Sequence, residues 1–344
     1  MNQPFVSIIV PIRNEAKYIK LVVESILAQN YPSDRLEVII ADGMSTDDTR
    51  QIIHQLIGYQ PDCSIHVIDN PELIVSTGLN RAIKQANGEV LIRIDGHTEV
   101  AKDFVRQNVT LLQLHPEAWS VGGPLQCIGD TTFGQAVAKA MSHPLGIGNA
   151  MHHYSDFEGY TQGAPFPAFR REVFDRIGYF DEDLVRNQDD NFNYRIIEAG
   201  GKIFISPLVK SKYFVRDSPK LLFKQYFQYG FWRIVTLKKH KHPTTIRQVI
   251  PTLFYISVFM FFLTGFLLRQ LIIALGLPLV YIALLSVIGI SSSIKSGWEI
   301  AWRVPVAMGI MHAGYAFGYF YGILGAIFYP SIISRYSHMG KVSR

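Results

Sequence analysis

The stretch FVSIIVPIRNE at residues 5–15 carries the pattern on which the fold is built. Its first part, Phe5–Pro11, is a short run rich in Val and Ile, as in a buried strand, and a polar group ends it. Three further strand-like runs are Leu36–Ile40, Ser64–Ile68 and Val90–Ile94. Segments with helical spacing lie between them, up to about Gln29, at Asp47–Leu56 and at Thr77–Ala86. Strands that alternate with helices predict an α/β, Rossmann-like domain with a mostly parallel sheet.

The C-terminal third has a different composition. Three stretches, Val249–Leu268, Leu271–Ile294 and Val304–Pro330, run 20, 24 and 27 residues without Asp, Glu, Lys or Arg. About 20 helical residues span a hydrocarbon core of ~30 Å, so the stretches predict a transmembrane region of about three helices. Ten Lys or Arg residues against one acid precede them between Lys210 and Arg247. This basic block favours a cytoplasmic catalytic domain on a multi-pass inner (plasma) membrane protein.

These features predict four segments. A cytoplasmic catalytic domain covers residues 1–215, a basic amphipathic interfacial segment 216–247, a transmembrane region 248–334 and a basic tail 335–344. Three spans would put that tail outside, whereas its charges favour the inside. Either the third stretch is interfacial or re-entrant, or the charge rule does not hold for a late tail.

Composition excludes several classes of protein. The net charge of +5 over 344 residues is modest, and the basic block adjoins a span, which argues against nucleic acid as a partner. Two cysteines without metal-ligand spacing argue against a disulfide framework. The N-terminus lacks the basic region of a signal peptide. Nothing in the pattern specifies an oligomeric state.

Polar residues follow the predicted strands, where ligands of parallel sheets bind. Asp42 ends the second strand and has the chemistry to accept hydrogen bonds from a base or ribose. Asp47, five residues later, is expected to cap a helix.

Asp95 and His97 flank Gly96 directly after the fourth strand. A carboxylate and an imidazole at this spacing would ligate one divalent cation bridging the diphosphate of a nucleotide donor. An imidazole ligand favours Mn²⁺ over Mg²⁺, which prefers oxygen ligands.

A third acidic site lies at Asp189 and Asp190. An acid at this position either caps a helix or deprotonates an acceptor hydroxyl, and spacing alone does not choose between the two residues.

Together these residues resemble the family 2 glycosyltransferases with a GT-A fold, over about residues 5–235. The family pattern contains a strand ending in Pro-x-x-Asn-Glu, which Pro11, Asn14 and Glu15 match, and an Asp that binds the nucleobase, which Asp42 matches. The Asp-x-Asp metal motif of the family aligns with Asp95-Gly96-His97, and its later Glu-Asp pair aligns with Gln188-Asp189. Within the family the chain is most similar to the succinoglycan-type exopolysaccharide glycosyltransferases. The resemblance implies that Asp189 is the general base and that Asp95 and His97 hold the metal. It further implies substrate-binding roles for Pro11, Asn14, Glu15, Asp42, Arg93, Arg170, Gln188, Gln228 and Trp232.

Three residues depart from the family pattern. His97 replaces the second metal aspartate, and Gln188 replaces the glutamate beside the base. Phe231 stands in the Arg position of a Gln-x-x-Arg-Trp motif that Gln228 and Trp232 otherwise match.

The sequence therefore predicts a membrane-anchored, inverting glycosyltransferase of the hexosyltransferase class. It would move a sugar from a nucleotide-sugar, expected to be a UDP-sugar, to a polyprenyl-diphosphate-linked saccharide for an exopolysaccharide or cell-surface polysaccharide. Two alternatives remain, a processive polysaccharide synthase and a non-catalytic, membrane-anchored sugar-nucleotide binding protein.

Two features of the third apolar stretch have no assigned partner. His312 is either functional or a hydrogen-bonded packing residue, because polar groups in a membrane are costly. Gly314, Gly318 and Gly322 recur every four residues and predict a smooth helix face for close packing, against another span or another chain.

Overall fold

A computed structural model describes residues 3–58, 64–148, 150–239 and 248–328. These residues form two compact units. The first contains the described residues of 1–126 and 151–213, and the second those of 127–150 and 214–328. The second boundary lies close to the predicted division at residue 215, but residues 127–150 cluster with the C-terminal helices.

The strands are β1 (Val6–Ile12), β2 (Leu36–Asp42), β3 (Ser64–Asp69), β4 (Val90–Arg93), β5 (Thr98–Val100), β6 (Ala118–Gly122), β7 (Leu125–Ile128), β8 (Gly159–Thr161), β9 (Ala168–Arg170), β10 (Lys202–Ile205) and β11 (Ser211–Phe214). The helices are α1 (Ile19–Leu27), α2 (Thr49–Gly58), α3 (Val75–Gln85), α4 (Phe104–Leu114), α5 (Thr132–Met141), α6 (Pro144–Ile147), α7 (Arg171–Ile177), α8 (Gln188–Glu198), α9 (Pro219–Lys239), α10 (Ile250–Leu267), α11 (Leu271–Ser296) and α12 (Arg303–Phe328).

The main sheet has eight strands in the order β3-β2-β1-β4-β9-β6-β10-β8. Strands β3, β2, β1 and β4 run parallel, as do β6 and β10, whereas β9 is antiparallel to both β4 and β6. The prediction of a mostly parallel α/β sheet is therefore confirmed. A smaller sheet has the order β5-β11-β7.

Successive side chains of β1 pack on opposite faces of the sheet, as the strand geometry requires. Ile8 and Val10 belong to one hydrophobic cluster, which includes the buried face of α1. Ile9 belongs to the other, which includes residues of α3, α7 and α8. Helices thus cover both faces, and the two clusters hold the C-terminal ends of β1, β2 and β4 side by side.

The second unit is helical. Within the described residues, α10 and α11 are the two helices long and apolar enough to cross a membrane, by length and composition. The third apolar stretch also forms a helix, α12, up to the end of the described residues, but it does not meet the same criterion.

Helix α12 packs against α9 of the same chain. The glycines of its repeat face α9 closely, because a Cβ on Gly314 would lie 2.9 Å from the Phe223 carbonyl oxygen and one on Gly322 2.9 Å from Ile234. The smooth face predicted from the glycine spacing is therefore a contact within one chain.

His312 lies on α12 in a hydrogen-bonded chain. Its Nε2 donates to the carbonyl oxygen of Leu145 at 2.8 Å, and its Nδ1 accepts from the Tyr281 hydroxyl at 2.7 Å. These bonds connect α6, α11 and α12, so the structure favours the packing role for this residue.

Candidate active site

Asn14 connects the loop after β1 to the loop after β2 through hydrogen bonds. Its backbone N–H donates to Ser45 Oγ at 2.9 Å, and its side-chain oxygen accepts from the Thr46 N–H at 2.8 Å. Asn14 has a φ of 54°, a left-handed conformation that Asn adopts more readily than most residues. The structure therefore gives Asn14 a role in shaping the loops, and contact with substrate stays a prediction.

Asp42 is held tightly by protein groups. Its side chain is only 1% exposed, and it accepts from Ser45 N at 3.1 Å, Ser45 Oγ at 2.6 Å and Arg50 Nε at 3.0 Å. Arg50 also pairs with Asp69 at the end of β3, a connection that the sequence pattern did not reveal. Binding of a nucleobase by Asp42 stays a prediction, and it requires Ser45 or Arg50 to move.

Asp47 accepts hydrogen bonds at the start of α2, as expected. Its carboxylate accepts from the backbone N–H groups of Thr49 at 3.1 Å and Ala16 at 3.2 Å. Burial opposes ionisation of this group, but the hydrogen bonds from Thr49 and Ala16 outweigh it and lower the pKa of Asp47.

Asp95 and Arg93 form a bidentate ion pair at the C-terminal end of β4. Arg93 Nε lies 2.8 Å from Asp95 Oδ1, and Arg93 Nη2 lies 3.2 Å from Oδ2. Both side chains are largely buried. A paired guanidinium fixes the carboxylate plane, and each carboxylate oxygen retains lone-pair capacity for a further ligand.

His97 lies between Glu15 and an aromatic ring. Its Nδ1 is 3.4 Å from Glu15 Oε1, and its ring centroid is 5.2 Å from that of Tyr213 on β11. Tyr213 was not anticipated from the sequence, because it reaches His97 only through the pairing of β11 with β5.

Asp189 lies in the first turn of α8, which begins after Asn187 in a left-handed conformation with φ 59°. Its Oδ1 accepts from the Asp190 N–H at 2.9 Å. The residue is exposed at the start of α8. Nearby protein atoms that displace water, together with the charge of Asp190, raise the pKa of Asp189. The charges of Arg93 and Asp95 also act on it, in opposite directions. Asp189 is therefore within electrostatic range of charged residues at the C-terminal end of β4.

Helix α3 holds the loop that leads into α8. Asn80 makes two bonds to Phe180, accepting from its N–H at 2.9 Å and donating to its carbonyl at 2.8 Å. Ser76 Oγ donates to the Leu184 carbonyl at 3.1 Å. These buried contacts explain how α8 is positioned, and no local sequence signal identifies them.

Gln188 begins α8 and is 6% exposed. Among the described residues its Oε1 has no hydrogen-bond donor. A buried acceptor without a partner is unfavourable, so this oxygen has the capacity to bind a donor group from a ligand.

Four other predicted substrate-binding positions lie apart from this cluster or inside the fold. Pro11 is a buried β1 residue paired with Ala41. Arg170 pairs with Val90 at the opposite end of β4 from Asp95, and its guanidinium donates to backbone carbonyls, including that of Ala118 at 3.2 Å. The structure therefore gives Arg170 a packing role. Gln228 and Trp232 lie on α9 in the helical unit, and their assignment stays a prediction.

The donor chemistry of Asp95 and His97 fits a divalent cation in part. In residues 3–58, 64–148, 150–239 and 248–328, no cluster of three His, Cys, Asp or Glu side chains could hold a metal unaided. Two protein ligands suit a cation that takes its remaining ligands from water and the diphosphate of a nucleotide.

Comparison with known proteins places the sequence in a family. Residues 7–178 match the profile of Glycosyl transferase family 2. The chain is 33% identical over 246 residues to the succinoglycan biosynthesis protein ExoA of Rhizobium meliloti, covering 71% of this chain and 73% of that protein. It is 26% identical over 328 residues to a dolichyl N-acetyl-alpha-D-glucosaminyl phosphate 3-beta-D-2,3-diacetamido-2,3-dideoxy-beta-D-glucuronosyltransferase of Methanococcus voltae, covering 93% and 97%.

A solved structure shares the fold. The mannosyltransferase PcManGT of Pyrobaculum calidifontis, in complex with GDP-Man and Mn²⁺, is similar with a TM-score of 0.58 at 19% identity, over 92% of this chain and 88% of that one. This chain accordingly belongs to the family 2 glycosyltransferases, and it is a glycosyltransferase with a GT-A fold.

Proposed function

We propose that this glycosyltransferase transfers a sugar from a nucleotide-sugar to an acceptor hydroxyl with inversion, and that Asp189 is the general base. One observation carries the proposal: the charges of Arg93 and Asp95 act on Asp189, although the sequence places them far apart. The proposed base therefore lies within electrostatic range of the candidate metal ligand, which supports a site where both act on one substrate.

In the proposed step one bond forms, one bond breaks and one proton is transferred. The acceptor oxygen forms a bond to the anomeric carbon, the bond from that carbon to the diphosphate breaks, and the acceptor proton moves to Asp189. A raised pKa suits this role, because a base is most effective when its pKa approaches the working pH. The transition state is expected to be oxocarbenium-like.

Asp95 and His97 would hold a divalent cation, and Arg93 would keep Asp95 in place. When bound, the cation supplies positive charge that stabilises the departing diphosphate. The imidazole ligand favours Mn²⁺ over Mg²⁺.

The relatives support a lipid-linked acceptor and a role in polysaccharide biosynthesis. The name of the Methanococcus voltae protein specifies a dolichyl phosphate-linked sugar, and that protein matches 93% of this chain, including its helical part. The Rhizobium meliloti protein acts in succinoglycan biosynthesis. We extend both features to this chain, with a UDP-sugar as the expected donor.

Membrane anchoring is supported by the surface of α10 and α11. Their apolar side chains are largely exposed, for example Phe266, Leu271 and Ile272, and large exposed apolar surfaces mark membrane or protein contacts. We propose that α10 and α11 cross the inner membrane as a pair, that the catalytic domain is cytoplasmic, and that α9 with α12 lies at the interface.

The test uses full-length protein in lipid nanodiscs with labelled UDP- and GDP-sugars and a polyprenyl-diphosphate-linked saccharide. Asp189→Asn should lower turnover by roughly 10²–10⁴-fold, the usual contribution of a general base, whereas Asp190→Asn should have a much smaller effect. The reverse ranking would exclude Asp189 as the base. Single additions support the proposal, and long products would favour the processive alternative.

A further inference from the structure

The side chain of Glu15 is buried beside His97. Glu15 follows β1, His97 follows β4, and these strands are parallel neighbours. Only 6% of the Glu15 side chain and 13% of the His97 side chain are exposed, and Glu15 Oε1 lies 3.4 Å from His97 Nδ1. A buried carboxylate requires polar or charged partners, and the imidazole is one within reach.

Hydrogen bonds to the neighbouring chain fix the backbone of Glu15. Its N–H donates to Thr49 Oγ1 at 2.8 Å, and its carbonyl accepts from the N–H groups of Tyr18 at 2.9 Å and Ile19 at 2.8 Å. Both ends of the residue are therefore fixed to the starts of two helices. A side chain on such a backbone is well suited to orient another group.

Gly96 permits the close approach of Glu15. A Cβ at Gly96 would lie 2.8 Å from Glu15 Cγ and 2.9 Å from Ile12 Cγ2, closer than real Cβ atoms come to other atoms. The missing side chain between Asp95 and His97 thus makes room for the Glu15 stem. This packing is independent of the ion-pair distance, and both bring Glu15 to the same place.

We propose that Glu15 is a positioning residue for His97. In this role the carboxylate would accept a hydrogen bond from the His97 Nδ1–H, which leaves the lone pair on Nε2 available to a divalent cation. Ligating histidines commonly donate their second N–H to a carboxylate, which fixes both ring orientation and tautomer. The Tyr213 ring restricts the imidazole further. The inference rests on the proposed function, in which His97 is a metal ligand.

Two other roles for Glu15 lead to different results. As a direct ligand it would contribute to metal affinity whatever residue occupies position 97. As a support of the fold it would affect stability and leave metal preference unchanged. A positioning role requires that the effect of Glu15 depend on the imidazole. Replacement of His97 by Asp provides the necessary background, because Asp is a ligand without a second N–H to orient.

The experiment measures Mn²⁺ affinity by electron paramagnetic resonance of free Mn²⁺. Full-length protein in nanodiscs is titrated with MnCl₂ in the presence of UDP and, separately, GDP. The variants are Glu15→Gln, His97→Asp, their combination, His97→Ala, and Glu99→Gln as a matched control. Glu99 is close in sequence, and its carboxylate pairs with Lys212 at 3.0 Å. Thermal unfolding is measured for each variant, and Glu15→Asp replaces Glu15→Gln if the latter does not fold.

We expect Glu15→Gln to weaken Mn²⁺ binding by roughly 10-fold, as loss of an outer-shell partner does. In the His97→Asp background the same change should have an effect below about 2-fold, and Glu99→Gln should have none. If His97→Ala leaves Mn²⁺ affinity unchanged with both nucleotides, the proposed metal site itself is wrong. If His97→Ala weakens binding and Glu15→Gln does not, or if Glu15→Gln acts equally in both backgrounds, the metal site stands and the positioning role is overturned.

Discussion

Substitution of Gly318 tests the packing of α12 against α9, because the backbones of the two helices are in close contact there. A Cβ on Gly318 would lie 2.8 Å from the carbonyl carbon of Phe227 and 2.9 Å from its Cα, and the carbonyl oxygen is closer still. All three atoms belong to the backbone of α9, so no side-chain rotation would relieve the overlap. Gly318→Ala therefore requires the two helices to move apart.

The expected change in stability follows from two opposing effects. Overpacking of a core costs about 1–3 kcal/mol, and backbone obstruction puts Gly318→Ala at the upper end. Ala stabilises a helix interior by about 1 kcal/mol over Gly, so the net loss should be about 2 kcal/mol. Gly325 is the matched control on the same helix, since a Cβ there would meet no heavy atom within 4 Å. Gly325→Ala should be neutral or gain up to about 1 kcal/mol.

Both variants are measured as full-length protein in the same detergent, by denaturant unfolding followed through tryptophan fluorescence and circular dichroism. Gly318→Ala should be less stable than Gly325→Ala by about 2–3 kcal/mol. Equal stability of the two variants would refute the close packing of α9 on α12.

The other predictions concern the metal, the base and the topology. EDTA should abolish transfer, Mn²⁺ should restore it better than Mg²⁺, and Asp95→Ala should remove nearly all turnover; full activity in EDTA would contradict the metal assignment. Asp189→Asn should raise the melting temperature at pH 7, because folding raises the pKa of this carboxyl and ionisation therefore disfavours the folded state. That gain should shrink as the pH falls toward about 4, where the unfolded chain also binds the proton, and a less stable variant at pH 7 would argue against the shift. If α10 and α11 are the two spans, as proposed, the chain returns to the cytoplasm after them, so a phosphatase fused after Arg344 should be inactive and a fluorescent protein fused there should fluoresce. An active phosphatase would show that α12 crosses the membrane.

The first half of the sheet could be predicted because β1, β2 and β4 are buried along their whole length and only the edge strand β3 is partly exposed. Such strands appear as continuous apolar runs, and β1, β2, β3 and β4 all fall within a few residues of their predicted positions. The later strands β5, β8 and β9 have three residues each, too few for any periodicity. Their pairing depends on partners distant in the chain, as Ala168 pairs with both Ile92 and Val121.

The residues of the candidate site could be predicted from the sequence, whereas the contacts that orient them could not. Asp95 and His97 were proposed from residue type and position after a strand, which are local features, whereas the family resemblance implied Asp189 over Asp190. The contacts that orient them are not local: Glu15 reaches His97 and Asn80 holds Phe180 only once the sheet has formed. For Arg170 the family resemblance implies substrate binding, which stays a prediction, and the structure adds that its guanidinium donates to the backbone carbonyl of Ala118.

The helical unit shows why apolar sequence alone does not determine the number of spans. Lipid and a neighbouring helix are equally apolar, so a charge-free stretch specifies burial without specifying what buries it. The glycines of α12 supply the missing information once α9 is seen beside them, since a helix facing only lipid has no need of a face without side chains. His312 supports the same conclusion, because its two hydrogen bonds connect α12 to α6 and α11. Helix α12 is thus best understood as a packing partner of α9, and α10 and α11 are the two described helices whose exposed apolar surfaces support the proposed pair of membrane spans.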